Sequence, residues 1–230
     1  MNQNRTPAIV NIPQIAVLIS GRGSNLLSLI QHAQHYQICA VISNNKNAAG
    51  LELARNAGID TTTFERKAKG DCSHRQEIYK AINQINPEFI ALAGFMEIVD
   101  ADFVMQWEGR LINIHPSLLP DFRGLHTHQR ALQRFHESNG QQNQHGCSVH
   151  YVDVSVDTGP IIAQAACTIQ AEDNEEQLAQ RVLEQEHRLF PWVMNQIASN
   201  NISYHRTSIS FSEQAKSEAQ QYNFITPLAK

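Results

Sequence analysis

Asn113 and His115 stand two residues apart in the run Asn113-Ile114-His115-Pro116-Ser117-Leu118-Leu119-Pro120. If that run begins as a strand, both side chains point to one side, and an amide donor and an imidazole can address one reacting oxygen. Asp157, in the turn Val156-Asp157-Thr158-Gly159-Pro160, either caps its own turn or faces His115, orients the ring and helps move protons. The trio holds donors, a titrating ring and a proton acceptor, but no hydroxyl or thiol nucleophile. It suits attack by a substrate amine on an electrophilic carbonyl. The bland alternative is a satisfied histidine at a strand end, beside a loop stiffened by Pro116 and Pro120.

Two other clusters invite chemistry. In Ser20-Gly21-Arg22-Gly23-Ser24-Asn25, two glycines relax a strand-to-helix junction, Ser24 or Asn25 is expected to cap the helix, and its free N–H groups can receive an anion. Position 26 is Leu where a dinucleotide fingerprint has its third glycine, and the GxxxxGK[ST] phosphate loop is missing. The reading is therefore a small phosphate site, against a purely structural turn. His126 and His128, in Gly124-Leu125-His126-Thr127-His128, supply only part of a zinc shell, with no HExxH or cysteine cluster to complete it. No metal is expected, and Thr127 reads as a helix cap.

These groups need a scaffold. Ile15 to Ile19, Ile38 to Ile42, Phe89 to Ala93 and Leu111 to Ile114 are compact apolar runs, as in parallel strands covered on both faces. Between them, Ala48 to Asn56, Ser73 to Ile85 and Asp102 to Trp107 read as helices, with a short strand at Ile59 to Thr63. The helix after the glycine turn is expected to bury Leu26, Leu27, Ile30 and Ala33. The alternation predicts an open, mostly parallel α/β sheet with helices on both faces and ligands beyond the carboxyl ends of its strands.

Further on, Thr127 to Glu137 reads as a helix and Ser138 to His145 as a surface loop. Cys147 to Val152 and Ile161 to Ile169 read as antiparallel strands. Asn174 is expected to cap a long helix reaching about Ser199, with Pro191 as a kink or a new start. The chain divides into a polar leader (1–13), one domain (14–200) and a peripheral extension (201–230) without catalytic duties.

Composition narrows the partners. The 230 residues carry 18 basic and 22 acidic side chains, a net charge of −4, and no basic cluster, which disfavours nucleic acid or an anionic membrane. A charged fraction of 17% beside 42% hydrophobic residues describes an ordinary folded chain. The four cysteines, Cys39, Cys72, Cys147 and Cys167, form no CxxC pair and read as thiols in a reducing compartment. Without a signal-peptide h-region or a long apolar span, a cytoplasmic location is expected.

In order, ISGRGSNL, AGFMEIV, GRLINIHPSLLPDFRGLHTH, VHYVDVSVDTGPIIAQ and RVLEQEHRLFP resemble the phosphoribosylglycinamide formyltransferases, over roughly residues 14 to 200. The resemblance implies a Rossmann-like fold of the formyltransferase type. It also implies transfer of a formyl group from 10-formyltetrahydrofolate, a cosubstrate, to the amine of glycinamide ribonucleotide in purine (IMP) synthesis. By similarity Asn113, His115 and Asp157 are catalytic. Gly23, Ser24 and Asn25 lie around the ribonucleotide phosphate and Glu186 near the glycinamide end. Arg75, Met96, Glu97, Ile98, Val99 and Asn113 match folate positions. The partners implied are these two small molecules, with a monomer or homodimer as the assembly. Glu97 departs from the family, which often has a basic residue there, and Leu183 stands where some relatives are polar. Methionyl-tRNA formyltransferase, formyltetrahydrofolate hydrolase and a noncatalytic nucleotide binder are the rivals. The first two normally carry an added domain, and the third leaves the trio without a purpose.

Overall fold

The computed structural model describes residues 12–67, 72–206 and 208–227, so the leader up to residue 11 lies outside the described residues. Strand β1 (Gln14–Ile19) leads through the glycine turn into α1 (Ser24–Gln31), then β2 (Gln37–Ser43), α2 (Gly50–Asn56) and β3 (Thr61–Thr63). Helix α3 (Ser73–Ile85), β4 (Phe89–Leu92), α4 (Ala101–Gln106) and β5 (Leu111–His115) follow. The strands stand in the order β3-β2-β1-β4-β5, all parallel. Beyond them β6 (Gln144–Tyr151) and β7 (Ile161–Thr168) add antiparallel strands, with α5 (Thr127–Glu137) preceding them.

Alternation along the strands divides the core into two layers. Ile15, Val17, Val41, Ile112, Ile114 and Val149 pack with α1, α2 and the long helix α6 (Glu175–Ala198). Ala16, Leu18, Ile42, Ile90, Leu92 and Leu111 pack with Ile78 and Ile82 of α3 and Phe103, Val104 and Trp107 around α4. The result is the open, mostly parallel sheet with helices on both faces that the apolar runs predict. The order in which strands are added reverses between β1 and β4, and the crevice beyond the carboxyl ends of the strands at such a switch point is where open α/β sheets take ligands.

Four expectations are corrected. Helix α1 buries Leu26 and Leu29 but also Asn25 and Ser28, while Leu27 is exposed and Ala33 lies past the helix end. The cause is polar: Asn25 Nδ2 donates to Glu186 (2.6 Å) and Ser28 Oγ to the His187 carbonyl (2.6 Å), both on α6. Neither Ser24 nor Asn25 caps α1; Gly23 holds the cap position with φ +77° and no side-chain bond. Similarly His126, not Thr127, precedes α5 as its cap residue. The expected loop 138–145 ends early, because pairing of Gln144 with Thr168 and His145 with Cys167 extends β6 past its apolar run.

Helix α6 opens with Asn174 and Gln177 in a reciprocal capping box and runs through Pro191 without interruption. A proline there cannot donate to the carbonyl four residues back, that of His187. The Ser28 hydroxyl supplies the missing donor.

After α6 the chain forms the hairpin β8 (Ile202–His205) and β9 (Ser208–Phe211), then α7 (Glu213–Tyr222). This segment is more than a loose addition: Ile202, Ala215, Ala219 and Phe224 are buried, and Glu218 accepts from Trp192 and Gln196 of α6. No helix among the described residues is long and apolar enough to cross a membrane.

Candidate active site

Strand β5 lends the site its floor. Leu111, Asn113 and His115 face the layer shared with α3 and α4, but on this strand that layer ends at Leu111 and leaves Asn113 half-buried. Across the ladder Asn113 pairs with His150 and His115 with Ser148, so four polar side chains share one face at the end of β5.

The structure brings the expected trio together through a fourth residue. His115 Nδ1 lies 3.4 Å from Asp157 Oδ2, and its Nε2 lies 3.1 Å from the Phe122 carbonyl. Asn113 Nδ2 lies 3.1 Å from His150 Nε2, which in turn is 3.7 Å from Asp157 Oδ1. Burial lowers the pKa of His150, so the ring is neutral. Its Nδ1–H donates to the Tyr151 carbonyl at 2.8 Å, which leaves the Nε2 lone pair for an N–H of Asn113. His150 is not among the residues the sequence singles out; its signal is VHYV, where it stands one residue before the end of β6, antiparallel to the Asn113 strand.

Asp157 sits in a left-handed conformation at φ +52°, which costs a non-glycine residue energy and must be held by its surroundings. The Gly124 N–H holds it, donating to Oδ2 at 2.9 Å. Ser148 also braces the site: its hydroxyl donates to the Ser117 carbonyl and accepts from Leu119 N and Gln164 Nε2.

The glycine turn lies at the carboxyl end of β1, on the other side of the crevice. Gly23 is required by packing, since a Cβ there would overlap the Gly50 Cα at the start of α2. The first turn of α1 has no side-chain cap, and Ser24 is half-buried at its head. Asn25 turns inward to Glu186, which is only 7% exposed; its own Oδ1 is buried without a partner. Burial raises the Glu186 carboxyl to about 7, against the lowering bond from Asn25. Leu183, one turn before Glu186 on α6, is half-buried.

Between the two lies the segment after β4. Met96 and Ile98 are 71% and 68% exposed, two large apolar side chains displayed close together in the segment after β4. Val99 packs on the α3–α4 layer. Glu97 turns away and accepts from Asn44 (3.0 Å) and His74 (2.8 Å), with Arg66 at 3.5 Å. Burial pushes its carboxyl up, but the bonds from Asn44 and His74 and the nearby charges outweigh it and the net shift is downward. The departure at this position is thus internally neutralised. Arg75 does not project freely: it donates to Asp100 (2.6 Å) and the Ile98 carbonyl (3.1 Å), bracing the segment from behind.

His126 is exposed, and His128 Nδ1 meets His145 Nε2 at 3.1 Å. Among the described residues no group of three or more His, Cys, Asp or Glu side chains is placed to hold a metal ion.

A family model described as formyl transferase matches residues 13–194. The phosphoribosylglycinamide formyltransferase of Escherichia coli (strain K12) is 42% identical over 199 residues, covering 84% of this chain and 91% of that protein. The trifunctional purine biosynthetic protein adenosine-3 of Drosophila pseudoobscura pseudoobscura is 44% identical over 207 residues, but the matched part is 14% of its length against 85% of this chain. Among solved structures, the phosphoribosylglycinamide formyltransferase from Anaplasma phagocytophilum superposes with a TM-score of 0.80 at 36% identity, covering 89% of this chain and 96% of that one. With the crevice at the reversal of the sheet and the cluster on β5 and β6, these likenesses lead to one assignment: the chain belongs to the formyl transferase family and, within it, to the phosphoribosylglycinamide formyltransferases of purine biosynthesis.

Proposed function

We propose that this chain moves the formyl group of 10-formyltetrahydrofolate directly onto the amine of glycinamide ribonucleotide, with no metal and no enzyme-bound intermediate. The observation that carries the reading is the linked set Asn113, His150, Asp157 and His115, rich in donors and proton acceptors and without a nucleophile. The amine lone pair attacks the formyl carbon, and the carbonyl π pair moves to oxygen. Asn113, with one N–H spent on His150, has a second for that oxyanion, and the His115 ring supplies another donor. As the oxyanion collapses, the bond to the folate nitrogen breaks and takes the electron pair. The proton lost by the new ammonium reaches that nitrogen with help from Asp157, directly or through water.

The ribonucleotide phosphate fits the uncapped amides at Gly23, Ser24 and Asn25, where the helix dipole favours an anion. Glu186 takes the glycinamide end. The folate occupies the cleft beside Met96, Glu97, Ile98 and Val99, with Asn113 at its reacting end and Arg75 supporting the segment. The exposed Met96 and Ile98 offer flat apolar contact for a pterin.

The test follows folate absorbance with ribonucleotide present and omitted. Tetrahydrofolate should form only when both substrates are present; formation in water alone would assign a hydrolase, and none in either case a binder. In single turnover with both substrates saturating, Asn113→Ala should be about 10²–10³-fold slower with an unchanged melt. A near-wild-type rate would remove Asn113 from the chemistry.

A further inference from the structure

Phe122 lies in the loop between β5 and α5 with φ +54°, a conformation a bulky side chain adopts only when its surroundings enforce it. The enforcement is visible. The Arg134 guanidinium stacks 4.0 Å from the ring centroid, itself held by Asp121 at 2.6 Å. The His145 ring meets the Phe122 ring nearly at a right angle, 5.7 Å away. Burial, then the neighbouring His128, His115 and Arg134 charges, lower the His145 pKa to about 3, so this contact stays uncharged. The Asp121 carbonyl accepts from Ser117 at 2.6 Å. So fixed, the backbone turns the Phe122 carbonyl to His115 Nε2 at 3.1 Å and, two residues on, the Gly124 N–H to Asp157 at 2.9 Å.

We propose that Phe122 is a positioning residue for formyl transfer: its ring, gripped by Arg134 and His145, holds its carbonyl as the resting acceptor that keeps a proton on His115 Nε2. The proposal rests on the donor role given to His115 above. A neutral imidazole has one N–H, and placing it on Nδ1 would set the Nε2 lone pair against the lone pairs of the carbonyl. The carbonyl therefore favours ring forms with a proton on Nε2, against Asp157 Oδ2, which at 3.4 Å favours a proton on Nδ1. It holds that proton only in the resting site, because a developing oxyanion accepts more strongly than a neutral carbonyl.

Long-range ¹H–¹⁵N NMR of the ligand-free protein reads the His115 ring directly, its signals identified by their loss in His115→Asn. In Phe122→Ala the ring should lose Nε2–H character and shift towards the Nδ1–H form that Asp157 favours. Single-turnover transfer should slow by about 10–100-fold, as expected for a misplaced catalytic group, with both KM values little changed. Phe122→Tyr should restore ring form and rate. If Phe122→Ala does not fold, Arg134→Ala should move both readouts in the same direction by less. An unchanged ring spectrum in Phe122→Ala, or in Arg134→Ala where that variant stands in, overturns the proposal whatever the rate does. Because the spectrum is taken without substrates, it judges Phe122 separately from the donor role, which fails if His115→Asn transfers formyl at the wild-type rate.

Discussion

Glu186 is a carboxyl inside a protein core, and the bond it accepts from Asn25 offsets only part of the cost of burial. Its folded pKa of about 7 lies above that of an exposed glutamate, so between roughly pH 4.5 and 7 the folded state binds more protons than the unfolded one. Stability contributed by this group is complete below that window and is lost as pH rises through it, by about 3 kcal/mol at most. Glu186→Gln keeps the acceptor for Asn25 without the titration. In urea titrations it should gain on wild type between pH 5 and pH 8 by up to that amount, and a pH-independent difference would sink the argument. Under the proposed function the glycinamide end provides a hydrogen-bond donor that the free protein lacks. At this scale the trio was legible because its residue types are chemical in themselves. His150 was not, since its role comes from a cross-strand partner 37 positions away.

Among the elements, the glycine turn shows how one residue can satisfy two demands. Gly23 adopts φ +77° and presses its Cα against Gly50, so the turn fixes both the head of α1 and the start of α2. Gly23→Ala should cost about 2–4 kcal/mol from backbone strain and overlap combined. Gly21 has open space around its missing Cβ and no positive φ, and Gly21→Ala should change stability by less than about 1 kcal/mol. Thermal melts of the two variants check this, and equal melts would mean the contact with α2 yields easily. Weak ribonucleotide binding by a Gly23 variant would therefore report packing as well as phosphate contact. The strands β1, β2, β4 and β5 were legible because unbroken apolar runs have few other uses. The buried face of α1 was not, because apolar periodicity does not register Asn25 and Ser28, whose partners lie about 160 residues on.

For the molecule as a whole, the strand order places the glycine turn and the β5 cluster on either side of the switch point, although 88 to 93 positions of chain separate Ser20 to Asn25 from Asn113. That α/β alternation was legible, but the position of each strand in the sheet was not, since it depends on which face each helix crosses. Nor was the use made of residues 202–227, whose short strands and polar helix carry weak periodicity. Phe224 packs on Trp192 at 5.2 Å between centroids and is 7% exposed. Phe224→Ala should destabilise the protein by about 3 kcal/mol, as for a buried aromatic, while leaving the transfer rate of the folded enzyme unchanged. Chemical denaturation beside single-turnover kinetics measures both, and a loss under about 1 kcal/mol would return this segment to the periphery.

Pro191 leaves one carbonyl open in the middle of α6, and the hydroxyl that closes it comes from α1. A helix with every carbonyl occupied would let a neighbour slide along it by small steps; a single vacancy gives the serine one place to land. Asn25, a turn before Ser28 on α1, reaches Glu186, the residue before His187, and Asn195 takes the His32 carbonyl and the Gln34 and His35 amides beyond the other end. The proline thus serves as an index mark. It sets the longitudinal position of α1, and with it the distance from the amides at the head of that helix to the buried carboxyl of Glu186.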